Sequence, residues 1–294
     1  MRGSGKLVAM FSNGKRSSGV GLERSCGEFP GDWLRSEGPE DGVELLEAWF
    51  GGPAYRKHRH DTYAICLTTS GVQAFGYQGK REISLPGQVV VLHPDELHDG
   101  FPATDTGFGY RQLYVEPALI FDAVRTLRGV GTLPFARNPV ATNAKLAEAI
   151  SSAFVDDREP LAMDTLLLQL AEGLLEVAPE STRDSAPRNV DVEAVQRARD
   201  FLDVETPRVV HSAELEAITG LSRFELARQF RLICGTSPYR YSLMRRLDAA
   251  REGITTGRAL SDVAFDAGFA DQAHFSRKFS AAFGLTPAHY RSLR

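Results

Sequence analysis

Two stretches of this 294-residue chain carry one pattern at an offset of 49 residues. Leu226-x-Arg228-x-Phe230-x4-Gly235-x-Ser237-Pro238-x2-Tyr241 recurs as Phe275-x-Arg277-x-Phe279-x4-Gly284-x-Thr286-Pro287-x2-Tyr290. Self-similarity at a fixed offset means one supersecondary unit used twice. In each copy apolar residues at i and i+4, with an arginine between them on another face, describe an amphipathic helix that holds one cation outward. Glycine then stops that helix, and Ser237 or Thr286 caps the next, with proline at its first position. Upstream of each copy lies a shorter helical segment ending in a glycine turn, Ser212 to Leu221 and Ser261 to Phe269. Helix, glycine turn and helix is the arrangement whose second helix enters the major groove of DNA. Two in tandem present two reading heads to one face of a duplex.

On these residues, 191 to 294 resemble the DNA-binding domain of the AraC/XylS transcription regulators. The signature runs through Arg246-Leu247, Ala264, Gly268-Phe269, Phe275, Phe279 and Gly284-Leu285-Thr286-Pro287. The resemblance implies a sequence-specific regulator that binds double-stranded promoter DNA, works with RNA polymerase, and is not an enzyme; an activator is expected, with activation or repression left open by the residues themselves. Position by position it places Phe224, Ala227 and Arg228, with Arg223 ahead of them, against base edges in the first unit. Ala273, His274 and Arg277, with Gln272 beside them, match in the second. Arg228 suits a bidentate contact to guanine and Phe224 a thymine methyl. Asp271 is placed to cap the second reading helix. Arg240, Arg245, Arg246 and Lys278 are the expected phosphate contacts. The helix over 239–252 joins the units and fixes their separation.

The net charge of −4 conceals an asymmetry, because residues 188–294 hold 16 basic against 13 acidic residues, or +3, which leaves −7 for the rest. That split suits a DNA-binding domain behind an acidic one. Affinity then depends on positioned contacts as well as on bulk charge. No apolar stretch reaches the ~20 residues of a membrane helix, and Leu7 to Phe11 is too short for a signal-peptide core, so no membrane association and a cytoplasmic location are expected. Cys26, Cys66 and Cys234 show no metal-type spacing and read as reduced thiols.

The first 40 residues are rich in Gly, Ser, Arg and Lys and read as a mobile segment. From 41 to 177 the chain reads as a sensor domain: an all-β, cupin-like barrel followed by helices. Short strand-like runs lie at Val43 to Phe50, Tyr63 to Thr69, Val72 to Tyr77, Gln88 to Leu92 and Phe108 to Val115. Helical periodicity follows at 141–150 and at 161–175, where the leucine stripe fits either the domain's own core or pairing with a second copy of the chain in a homodimer. Residues 178–190, polar and bracketed by proline, form the expected linker to the all-α, tandem helix-turn-helix domain at 191–294.

Gly52, His58-x-His60, Ala64 and Gly71, then Gly87, Pro94 and His98, resemble the two cupin motifs, and residues 43–115 resemble the sensor domain of AraC-type regulators. In metal-binding cupins a glutamate stands where this chain has Ala64, and the interval from Pro94 to His98 is one residue short, so no metal and no cofactor are expected. His58, His60, Tyr63 and His98 are instead the expected contacts to a small-molecule effector, within a pocket to which Trp49, Phe75 and Tyr77 contribute. A carboxylate on that effector suits Arg56 or Arg111. Two other readings stay open: a cupin enzyme with a histidine-bound metal, and a constitutive DNA-binding protein whose barrel only dimerises.

Overall fold

The computed structural model describes residues 29, 31–154, 160–178 and 190–293, so the expected mobile segment up to residue 28, Cys26 and most of the linker lie outside the described residues. The N-terminal half contains β1 (Trp33–Glu40), β2 (Val43–Phe50), β3 (Tyr55–His58), β4 (Tyr63–Gly71), β5 (Gln73–Tyr77), β6 (Lys80–Ser84), β7 (Val89–Leu92), β8 (His98–Pro102), β9 (Phe108–Val115), α1 (Pro117–Arg128), β10 (Val140–Ala141), α2 (Ala144–Ala153) and α3 (Pro160–Val177). The strands form two sheets, ordered β1-β2-β9-β4-β7-β10 and β3-β8-β5-β6. Every pairing is antiparallel. The sheets face one another without joining, so the expected barrel is an open two-sheet form of the cupin-like architecture.

Side-chain alternation along each strand gives the larger sheet two apolar faces. Leu46, Ala48, Phe50, Ala64, Cys66, Val90, Leu92, Phe108 and Tyr110 face the smaller sheet and meet its Phe75 and Tyr77. Val43, Leu45, Tyr63, Ile65, Leu67, Val89, Val91, Leu113 and Val115 point the other way and are covered by α1, α2 and α3. The leucine stripe therefore serves this second core: Leu166, Leu170, Leu174 and Leu175 are buried in it, while Leu161 is 77% exposed.

Part of the segment expected to be mobile is ordered, since β1 extends the larger sheet through Leu34 and its pairing with β2. Strands β3, β6 and β8 escape the sequence reading because they are short and polar: β3 is Tyr-Arg-Lys-His, and β6 is largely exposed.

The C-terminal half is helical: α4 (Val192–Val204), α5 (Ser212–Thr219), α6 (Arg223–Cys234), α7 (Pro238–Thr255), α8 (Leu260–Asp266), α9 (Gln272–Phe283) and α10 (Pro287–Ser292). The repeated pattern becomes repeated geometry. Ser222 and Asp271 cap α6 and α9, accepting from the amides of Glu225 and His274, and Gly235 and Gly284 end these helices in the left-handed conformation at φ 68° and 70°. Ser237 and Thr286 cap the helices that follow. Leu226, Phe230 and Tyr241 anchor one core, and Phe275, Phe279 and Tyr290 its counterpart. Helix α1 is shared: Ile120, Ala123 and Val124 face the sensor sheet, whereas Ala118 and Phe121 complete the core of the first helix-turn-helix unit.

Candidate nucleic-acid interface and sensor site

The glycine turns at Gly220 and Gly268, both in the left-handed region, set α5 against α6 and α8 against α9. With their apolar faces buried, α6 and α9 turn the expected base-contacting residues outward. Arg223, Phe224 and Arg228 are exposed and Ala227 is half-buried; Gln272, Ala273 and Arg277 are exposed. Phe224 is 74% exposed under the guanidinium of Arg223, an unusual position for a large apolar ring. His274 is half-buried with its ring against Phe269. Arg228 is paired with Glu225 at 2.6 Å, and hydrogen bonds from Arg228 and Gln229 hold the Glu225 carboxyl down to about 2. Both side chains are exposed and the pair is screened by solvent, so it holds the Arg228 guanidinium only weakly. Arg277 makes no ion pair among the described residues.

Three of the four expected phosphate contacts are committed elsewhere. Arg245 is an ion-pair partner of Asp61 at 3.3 Å, Glu116 at 3.0 Å and Asp248 at 3.2 Å. Arg240 pairs with Asp95 at 2.6 Å and donates to the carbonyl of Arg59. Arg246 donates through Nε to the carbonyl of Ala267 at 3.0 Å and to that of Gly268, and lies over the ring of Phe269 at 4.5 Å, which clamps the second glycine turn. In this arrangement none of the three faces a phosphate. A guanidinium on a helix surface satisfies its donors with whatever acceptor lies opposite, and here that is a sensor-domain carboxylate or a turn carbonyl. Lys278 is half-buried and makes no ion pair among the described residues.

These arginines define a seam between the domains that the sequence reading missed. Along α7, Arg240, Arg245 and Arg251 reach Asp95, Asp61 with Glu116, and Glu44 respectively. From α4, Arg199 joins Glu116 at 2.6 Å. Burial pushes the Asp61 carboxyl up to about 6, against the opposing pull of Arg245. Beside this network the edge strand β3 meets the end of α9: the Arg56 amide donates to the Gly284 carbonyl at 3.1 Å and the Arg59 amide to the Ala281 carbonyl at 3.2 Å. Those carbonyls lack partners within their own helix, so the second reading helix is plugged into the sensor domain. A cavity of about 70 Å³ lies in this seam, walled by Tyr55, His60, Tyr114, Met244, Arg251 and Phe283 among others.

His58, His60 and His98 come together with ring centroids 4.2 to 6.1 Å apart, and of the three only His60 walls this cavity. All three are buried. Burial and the neighbouring imidazoles hold His58 and His60 well below the usual histidine range, and burial brings His98 down to about 4. Tyr63 does not join them. Its ring lies on the helix-covered face of β4, and its hydroxyl donates to the Pro134 carbonyl at 2.8 Å. Arg111 also belongs to the outer face, paired with Glu47 at 2.8 Å. His93, which the sequence reading passed over, is buried between Tyr63, Tyr77 and Phe135.

Comparison with known proteins follows the same division of the chain. A family model described as an AraC-like ligand binding domain matches residues 42–171, and one described as a helix-turn-helix domain matches 215–292. The uncharacterized HTH-type transcriptional regulator YbfI of Bacillus subtilis (strain 168) is 27% identical over 224 residues, which cover 75% of this chain and 81% of that protein. The HTH-type transcriptional activator RhaS of Yersinia pestis (strain Pestoides F) is 26% identical over 263 residues, covering 84% and 93%. Crystal structures of ToxT from Vibrio cholerae O395 share the fold, one with a TM-score of 0.59 at 10% identity over 86% of this chain and 98% of that one. Both domains in order, their reading helices outward, and relatives that span both of them place this chain in the AraC/XylS family: it is an effector-responsive, DNA-binding transcriptional regulator with an N-terminal sensor domain.

Proposed function

We propose that α6 and α9 read two segments of one promoter. Arg223, Phe224, Ala227 and Arg228 form the first contact set, and Gln272, Ala273, His274 and Arg277 the second. The observation that carries this reading is the outward placement of Arg228 and Arg277, at equivalent positions of two identically capped helices, beside an exposed Phe224. Lys278 is the remaining phosphate contact. The functional units are the sensor domain at 41–177, the linker at 178–190 and the reading domain at 191–294. The chain acts in the cytoplasm as a regulator, not an enzyme, and by analogy with the activators RhaS and NphR it activates transcription through RNA polymerase. The outer end of α3, with Leu161 exposed, is the surface through which two copies associate.

The effector enters the cavity between the domains, with His60, Tyr55 and Tyr114 as polar contacts, and His58 and His98 stand behind His60 against its ring. Small-molecule sites usually span about 300–1,000 Å³, whereas this cavity holds about 70 Å³. An effector of ordinary size therefore parts α7 from the sensor domain as it binds, and that difference in fit between the docked and parted arrangements is what shifts their populations. Selection of binding sites from random duplexes by the full chain tests the reading. Enrichment of a defined sequence, lost in Arg228→Ala and in Arg277→Ala, is the expected result. Salt-sensitive binding with no enrichment, unchanged in both variants, would refute it.

A further inference from the structure

We propose that His58, His60 and His98 form a binding site for a divalent transition-metal ion of the zinc, copper and nickel class, and that its occupancy is felt at the end of the second reading helix. Each imidazole is fixed by its own backbone. Nδ1 of His58 faces the Arg56 carbonyl at 2.8 Å, Nδ1 of His60 the Thr62 carbonyl at 2.8 Å, and Nδ1 of His98 the Glu96 carbonyl at 3.0 Å. A carbonyl only accepts, so each Nδ1 carries the proton and each neutral ring turns a lone pair outward at Nε2. This is the tautomer and the orienting contact that metal-bound histidines adopt.

One ring nitrogen from each of the three lies within 4.8 Å of the others, and the nitrogens left available are Nε2. Nε2 of His60 is buried with no hydrogen-bond partner. Leaving a buried acceptor unpartnered is unfavourable, and a metal bond would offset that cost. Tetrahedral zinc with bonds of about 2.1 Å places its ligand nitrogens about 3.4 Å apart, so closure needs ring shifts of about 1 Å. Three imidazoles without a carboxylate favour the borderline metals over magnesium or calcium. They leave a fourth position for water or a group on a small molecule, and His60 also walls the interdomain cavity.

The link to the reading domain is steric. His58 lies against the end of α9 so closely that a Cβ on Gly284 would come within 2.8 Å of its Nδ1. Nδ1 of His58 and the Gly284 carbonyl are both engaged by Arg56, the former through its carbonyl and the latter through its amide. A ring shift at His58 therefore acts on the contact that plugs α9 into the sensor.

The test uses the untagged full chain, stripped with a chelator and titrated calorimetrically with zinc. One equivalent bound by the wild type, weakened at least 100-fold in both His60→Ala and His98→Ala and unchanged in His211→Ala, is expected. If the alanine variants fail to fold, a cobalt titration of the wild type decides instead. A spectrum of imidazole coordination without a thiolate charge-transfer band supports the triad, and a thiolate band would place the ion at a cysteine and overturn it. No zinc binding by folded wild type, or binding unchanged in the triad variants, overturns the site. Amide exchange at Arg56 and Arg59 with and without zinc tests the link, which unchanged exchange would overturn. The metal arm needs no DNA, so its failure leaves the regulator reading intact, whereas the link rests on that reading.

Discussion

Replacing Arg245 with methionine should loosen the seam between the domains while leaving each domain folded. Arg245 is the ion-pair partner of Asp61, whose side chain is 4% exposed; Glu116 keeps Arg199 at 2.6 Å, and Asp248 keeps Arg251 at 3.6 Å. Breaking a buried pair by removing one partner costs roughly 3–5 kcal/mol, because the remaining charge is left desolvated. Arg245 itself is 19% exposed, and its contact with Asp61 is long at 3.3 Å, so about 2–3 kcal/mol is the reasonable expectation. At 1.36 kcal/mol per tenfold, that is a shift of about 30- to 160-fold toward the parted arrangement. Hydrogen exchange reads it directly, since the amides of Arg56 and Arg59 are bonded across the seam to Gly284 and Ala281. Those two amides should exchange faster by about this factor, with no change in the β4 and β9 amides of the sensor core. Adding Asp61→Asn should recover part of the loss by removing the stranded charge, a coupling that a double-mutant cycle measures. Unchanged exchange at Arg56 and Arg59, or equal acceleration throughout both domains, would refute the idea that α7 is docked through this network.

Other outcomes follow from single contacts. Phe230→Ala and Phe279→Ala each empty a fully buried site, and each should destabilise the reading domain in chemical denaturation by about 3–5 kcal/mol. Phe224→Ala should leave the unfolding midpoint unchanged, because the ring is 74% exposed, yet lower DNA affinity; a loss of stability would show the ring to be packed. Arg246→Ala should impair DNA binding by loosening the Gly268 turn, so its effect should include faster exchange in α8 and α9 and a lower melting temperature. His93 accepts at Nε2 from the Ala136 amide at 3.0 Å and contacts the Tyr77 hydroxyl through Nδ1 at 2.7 Å, and burial brings its pKa down to about 4. The unfolded chain then takes the proton first, so this contribution is complete above about pH 6.5 and is lost as the pH falls toward 4. The contribution amounts to at most about 3 kcal/mol, and His93→Gln should flatten the stability profile in that window relative to wild type.

The reading domain was legible in the sequence because its determinants are local. Caps, left-handed glycines and i, i+4 apolar pairs all act within one turn of their helix, so a repeat at 49 residues fixed both units before any tertiary contact was considered. The three histidines were legible for a related reason, their spacing on β3, the following turn and β8. Tyr63 was misplaced because both faces of the larger sheet are buried: alternation set it opposite Ala64 and Cys66, but nothing in the strand says which face looks inward. The partners of the α7 arginines were not legible because they are remote in sequence, the Arg59 carbonyl lying 181 residues from Arg240 and Glu116 lying 129 from Arg245. A helix whose cations face carboxylates that far away in sequence has the same local pattern as one whose cations face DNA.

The most direct test of two reading heads on one duplex is a footprint of the full chain on its selected site, repeated with Arg228→Ala and Arg277→Ala. Two protected segments about one helical turn apart, roughly 34 Å, are expected, with each variant losing a different one. A single protected segment, or the same segment lost in both variants, would contradict the tandem reading.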